Sequence, residues 1–261
     1  MTQTIRISWL LLVLISFGNI SIAQEKNELI TASQQFINIQ KQKKSVDHIV
    51  ELFSKTTIED IITKIVTNDQ KLAFWVNVYN GFIQYTLATK PELYEDRRAF
   101  FSEERIKIAG ELLSFADIEH GIIRKSQSPI GAGYIRRIFR PMWERKLRVD
   151  KKDWRVHFAL NCGAKSCPPI ATYSPEMLNS EFDFMTRNYL EEQTTYNSET
   201  RVVTTMSFFS WFRGDFGGIR GAKKILYKRN IIVSKPKKIQ FTTYDWTLLL
   251  GNYREINYKT D

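Results

Sequence analysis

The sequence predicts a single α+β (or α/β) domain in which helices pack on a small mixed sheet. Three observations predict it. Apolar residues recur at helical spacing from Val46 to Thr89 and again from Met177 to Leu190. Short period-two runs lie between and after these helices, around Ile106–Leu113, Val156–Leu160, Val202–Met206 and Lys238–Trp246. No internal repeat, linker or low-complexity tract divides the 261 residues, a length that supplies one large core. A hydrophobic share of 43% and an aromatic share of 13% exclude a disordered chain.

Residues 1–23 read as a targeting segment. Arg6 gives a positive start, Trp9 to Phe17 a short apolar core, and Ser21 and Ala23 the small residues before cleavage at Gln24. The apolar run is too short to span a bilayer comfortably, and no later stretch is long and apolar enough to do so. The expected location is therefore periplasmic or secreted, where disulfides persist. Residues 24–45 read as a polar N-terminal arm, rich in Gln34, Gln35, Gln40 and Gln42. Residues 46–261 form the expected globular domain.

Within it, Ile49, Val50, Leu52 and Phe53 mark one helix and Ile58, Ile61, Ile62 and Ile65 another, with Asp47 and Thr57 as caps. His48 beside the first cap reads as exposed. Lys71–Thr89 is apolar nearly all round, which marks a buried helix. Asn77, Asn80 and Gln84 share one of its faces, either bonding to crossing loops or lining a site. Ile106–Lys107–Ile108 and Leu112–Leu113 flank a tight hairpin, and Ser114 starts a helix with Asp117 three residues on. His120 lies in that helix with Glu119 or Asp117 to tune it. Arg136–Lys152 reads as a basic surface segment pinned by Phe139, Pro141 and Trp143. Ser174–Pro175–Glu176 opens a helix that runs to about Glu192. Val202–Met206 is a strand, Ser207 caps a short aromatic helix, Ala222–Lys228 is helical, and Lys238–Trp246 is a last strand.

The stretch Trp154–Pro169, WRVHFALNCGAKSCPP, holds both cysteines. Val156, Phe158 and Leu160 alternate with His157, Ala159 and Asn161, the pattern of a strand ending at Cys162 and Gly163. Three roles compete for its residues. Cys162 and Cys167 form a disulfide, or one of them is a thiolate nucleophile beside a histidine, or His157, Cys162, Cys167 and His120 hold a metal. Cysteines five apart rather than in a C-x-x-C pair weigh against the metal, so neither metal nor cofactor is expected.

Three words of the sequence resemble the domain-of-unknown-function family 547. They are Ala73–Asn80 (AFWVNVYN), Leu113–Gly121 (LSFADIEHG) and, most specific, Val156–Pro168 (VHFALNCGAKSCP), followed by Asp215–Phe216–Gly217 and Tyr244–Asp245–Trp246. The resemblance covers roughly Lys71 to Trp246, and departs after Trp246, where Thr247–Leu248–Leu249 stands. The family carries no established reaction. Its words concentrate asparagine, glutamate, histidine and cysteine in three separated segments, as an assembled active site does.

The leading expectation is a cysteine-dependent hydrolase or acyl transferase, in the broad manner of papain-like or transglutaminase-like enzymes. Cys162 would be the nucleophile, His120 or His157 its base, and Glu119 or Asn80 the orienting group, with the Gly163 and Ala164 N–H groups as oxyanion donors. Its substrate would be a peptide or an acidic envelope component. Two rivals are a non-catalytic cell-envelope binding domain clipped by a Cys162–Cys167 disulfide, and a dithiol redox protein. The net charge of +10 is scattered. It reads as a solvated basic surface open to an anionic envelope, and no basic-aromatic stripe points to nucleic acid.

Overall fold

Helix α4, Asn68–Thr89, is the axis of the molecule, and almost all of it from Leu72 to Gln84 is buried. The computed structural model describes residues 27–257, so the expected leader and its cleavage point lie outside the described residues. Thr67 and Gln70 close a reciprocal cap at the start of α4. Lys90 and Pro91 end it, and Pro91 begins a short 3₁₀ turn, Pro91–Tyr94.

Helix α1, Glu28–Lys41, occupies the segment expected as a polar arm. Its glutamines dominate the composition, but Leu29, Ile30, Phe36 and Ile37 repeat seven residues apart on one buried face. That face meets α4 closely. A Cβ added at Gly81 would stand 2.2 Å from the Phe36 ring, so only glycine admits this approach. Phe36 also packs edge-on against Phe82 at 5.0 Å and against Phe53 of α2, Asp47–Lys55, at 5.8 Å. Helix α3, Ile58–Lys64, follows behind a Thr57–Asp60 capping box.

Beyond a short α5, Arg97–Ser102, strands β1, Ile106–Ile108, and β2, Glu111–Leu113, pair antiparallel as the expected hairpin. Ala109 and Gly110 make its turn with φ of 59° and 74°. Ser114 and Asp117 then cap each other, through Ser114 Oγ to Asp117 Oδ2 at 2.6 Å and the Asp117 N–H to Ser114 Oγ at 3.0 Å. The helix they open widens to π-helical hydrogen bonding over Asp117–Ile123, with the Arg124 N–H reaching the Glu119 carbonyl.

After α6, Met142–Leu147, the chain reaches the cysteine segment. The strand expected there does not form. Trp154–Phe158 is one 3₁₀ turn, capped by Asp153. The alternation was misleading because neither face is solvated: Val156, His157, Phe158, Ala159, Leu160 and Asn161 are all buried.

The remaining elements are α7, Leu178–Gln193, β3, Thr195–Asn197, β4, Val202–Thr205, α8, Phe208–Trp211, α9, Gly218–Lys228, and β5, Lys238–Phe241. β3 pairs antiparallel with β4, and β4 pairs parallel with β5 from Val202↔Lys238 to Thr205↔Phe241. The fold is thus α+β, with two small sheets in place of the one expected. One apolar core surrounds α4. A second gathers Phe158, Leu190, Val203, Phe209, Phe216 and Leu226 between α7, β4, α8 and α9. Past β5 the chain leaves the sheet, so the expected last strand is shorter, and residues 245–254 run back over the cysteine loop. There Lys165 N–H meets the Thr247 carbonyl, Leu249 N–H the Gly163 carbonyl, and Ile170 N–H the Asn252 carbonyl, each at 2.8 Å.

Candidate functional site

The cysteine loop is held from below by α4. Asn80 donates to the Ala159 carbonyl and accepts the Asn161 N–H, both at 2.8 Å. Asn161 in turn accepts the Gly163 N–H at 3.0 Å and donates to the Pro168 carbonyl at 2.7 Å. Gly163 turns with φ of 83° against Leu87, where an added Cβ would sit 2.9 Å from a methyl group. The loop is closed by a Cys162–Cys167 disulfide with Cα atoms 6.1 Å apart. The Tyr244 hydroxyl lies 3.2 Å from the Cys167 sulfur and 3.4 Å from the Cys162 sulfur.

This disulfide borders a cavity of about 240 Å³. Seven aromatic residues line it: Tyr79, Phe101, Phe208, Trp211, Phe212, Tyr244 and Trp246. Trp211 and Trp246 stack nearly parallel at 5.8 Å, with Tyr244 packed on both. Its polar lining is Tyr79, Glu119, His120 and His157. The Tyr79 hydroxyl donates to Glu119 Oε2 at 3.3 Å.

Behind the histidines lies a buried ionic network. Asp215 Oδ2 accepts from Arg124 Nε at 2.8 Å and from His157 Nε2 at 3.0 Å, while Lys152 Nζ reaches Asp215 Oδ1 at 2.7 Å. Burial alone would raise the Asp215 carboxyl. The His157 hydrogen bond, the Arg124 charge and the Lys152 hydrogen bond outweigh it and hold the group well below the usual carboxylate range. Asp215 is therefore ionised, and His157 carries its proton on Nε2. Both the Arg124 guanidinium and the His157 ring pack on Phe212, each 4.4 Å from its centroid.

Arg124 links this network to His120. Its Nη1 lies 2.7 Å from His120 Nδ1, against 3.3 Å for Glu119 Oε1. Arginine can only donate, so Nδ1 is the acceptor and the neutral ring bears its proton on Nε2. Burial pushes the imidazole down to about 4, with Arg124 and Arg137 adding to the fall and Glu119 opposing it. His157 is also lowered, chiefly by burial. Burial raises the Tyr79 and Tyr244 hydroxyls far above their ordinary value.

Four of the expected site residues, Cys162, His120, His157 and Glu119, thus share one cavity. Asn80 does not join them, because its amide is spent on the backbone of Ala159 and Asn161. Two features of the expected acyl-transfer site are corrected. Both sulfurs are bonded to each other, so Cys162 is no thiolate in this state, and the Gly163 N–H is already engaged by Asn161. Sequence reasoning gave no role to Arg124, Trp211, Tyr244 or Trp246. The words Asp215–Phe216–Gly217 and Tyr244–Asp245–Trp246 were the available signal for the distal half of the site.

Compared with known proteins, residues 63–190 match the family described as "Protein of unknown function, DUF547". No curated protein and no solved structure matches the chain. The match takes in Glu119, His120, His157 and both cysteines, while Trp211, Phe212, Asp215 and Tyr244 lie beyond it.

Proposed function

We infer, for a chain whose residues 63–190 belong to the DUF547 family, that the domain binds a small ligand carrying a positive group and acts outside the cytoplasm, as a binding domain rather than a thiol enzyme. One observation carries the reading: the aromatic cavity keeps a carboxylate among its lining while the neighbouring thiols are closed as a disulfide. At neutral pH the two histidines and two tyrosines of the lining are uncharged, which leaves the Glu119 carboxylate facing aromatic walls. The cations behind it are compensated. Arg124 and Lys152 meet Asp215, and Arg137 meets Asp117 and Glu144. Aromatic rings with one carboxylate recognise ammonium groups through cation–π attraction. The leader-like segment at residues 1–23 supports an oxidising compartment, where the disulfide persists.

Two readouts on the same sample test it. Intact mass without reductant is expected to show no alkylation of Cys162 or Cys167 by iodoacetamide. Titration with tetramethylammonium, followed by tryptophan fluorescence, is expected to saturate, whereas neutral neopentyl alcohol of similar size does not compete. Glu119→Gln weakens the cation about tenfold, equivalent to about 1.4 kcal/mol. Equal binding of the neutral probe, or an unaffected Glu119→Gln variant, would sink the ligand class. Rapid labelling of Cys162 below about pH 7 would restore the thiol nucleophile.

A further inference from the structure

We propose that the loop between Ser128 and Met142 is a membrane-docking wedge that seats Ile138 and Phe139 in the headgroup region of an anionic phospholipid bilayer.

The sequence suggested that Phe139 pins this segment to the protein. In the structure it does the reverse: Phe139 is 91% exposed, Ile138 84% and Ile130 78%, with Met142 also outward. Single exposed apolar residues are ordinary, but four on one short loop form a patch that needs a partner.

The loop is not loose. Ser128 N–H bonds the Ile135 carbonyl at 2.8 Å and Arg137 N–H the Ser126 carbonyl at 2.9 Å, while Gly214 N–H bonds the Ala132 carbonyl at 2.8 Å. Arg137 turns inward to Asp117 and to fully buried Glu144. Arg140 Nε bonds the Arg137 carbonyl at 2.7 Å, tying the chain on either side of the apolar tip. An anchored base and an apolar tip keep the ordering penalty of docking small.

Charge selects the partner. From Ser128 to Trp143 the sequence holds no acidic residue. Arg136, Arg145 and Lys146 are exposed and Arg140 half-buried, and no carboxylate among the described residues pairs with any of them. Glu144 is buried, and both it and Asp117 are taken by Arg137. Apolar side chains ringed by unpaired cations fit a surface with acyl chains below negative headgroups, where each basic residue strengthens binding about fivefold. The same tip would gain nothing from the cations on a neutral apolar partner.

The test is co-sedimentation of the chain from Gln24, which keeps every residue of the described fold, with vesicles of phosphatidylglycerol and phosphatidylcholine or of phosphatidylcholine alone. Binding is expected to the anionic vesicles, to weaken with salt, and to fall at least tenfold in an Ile138→Asp, Phe139→Asp double variant whose melting curve matches the parent. A triple variant, Arg136→Gln, Arg140→Gln, Arg145→Gln, should lose the preference for anionic lipid. Equal sedimentation of parent and double variant would overturn the proposal. So would a concentration-dependent dimer that the double variant abolishes while vesicle binding persists, because the patch would then join two copies of the chain.

Discussion

His120 owes its neutrality to what surrounds it, and that has a consequence for acid stability. Its imidazole is pushed down to about 4, whereas an unfolded histidine titrates near about 6.5. Between those values the unfolded chain takes up a proton that the folded chain refuses. Stability is therefore whole above about pH 6.5 and falls as the pH drops toward about 4, by about 3 kcal/mol for this one group. His157, lowered in the same direction, adds to the fall. Asp215 does not contribute in this window, since a carboxyl held low loses its stabilisation only below its unfolded value near about 3.9. Urea unfolding at pH 6.5 and pH 4 should show the decline, and His120→Gln should flatten it. The same decline in parent and variant would mean that His120 is not the neutral group described.

Helix α4 works as a rack for backbone that is not itself helical or sheet-like. Asn77 holds Tyr173 by both its N–H and its carbonyl, Asn80 holds Ala159 and Asn161, and Gln84 accepts the Gly251 N–H at 2.8 Å. Of the two roles the amide stripe could play, the bonding of crossing loops is the one it performs. Asn80→Ala strands a buried carbonyl and a buried N–H, which costs about 3 kcal/mol and lowers the melting temperature by about 9 °C. A calorimetric shift of 2 °C or less would contradict that role. Local chemistry made this helix, the hairpin at Ala109–Gly110 and the Thr57 cap legible, because each depends on neighbours in sequence. The 3₁₀ turn at Trp154–Phe158 was not legible. A period-two pattern signals a strand only when one face is wet, and here the aromatic core on one side and α4 on the other bury both. The cavity was half legible: its histidines and Glu119 stood out by type, whereas tryptophans drawn from remote segments did not.

At the scale of the molecule, the cavity sits where two cores meet, taking Tyr79 and Leu160 from the helical core and Phe208 and Phe212 from the second. Neither core matches the limits of the family segment, 63–190. The helical core needs α1, whose Leu29, Ile30, Phe36 and Ile37 are almost wholly buried. At about 2 kcal/mol each, their loss takes away about 8 kcal/mol, comparable to the whole stability of an ordinary domain. A fragment starting at Val46 should accordingly show no cooperative thermal transition by circular dichroism, and a sharp melt would count against α1 as part of the core. The strap at residues 245–254 carries a different kind of consequence. Its carbonyls and N–H groups complete the hydrogen bonding of Gly163, Lys165 and Ile170, some eighty residues earlier. A ribosome delivers the cysteine loop long before the strap that covers it. The site therefore matures only after residues 245–254 have left the ribosome, some eighty residues after the cysteine loop they cover.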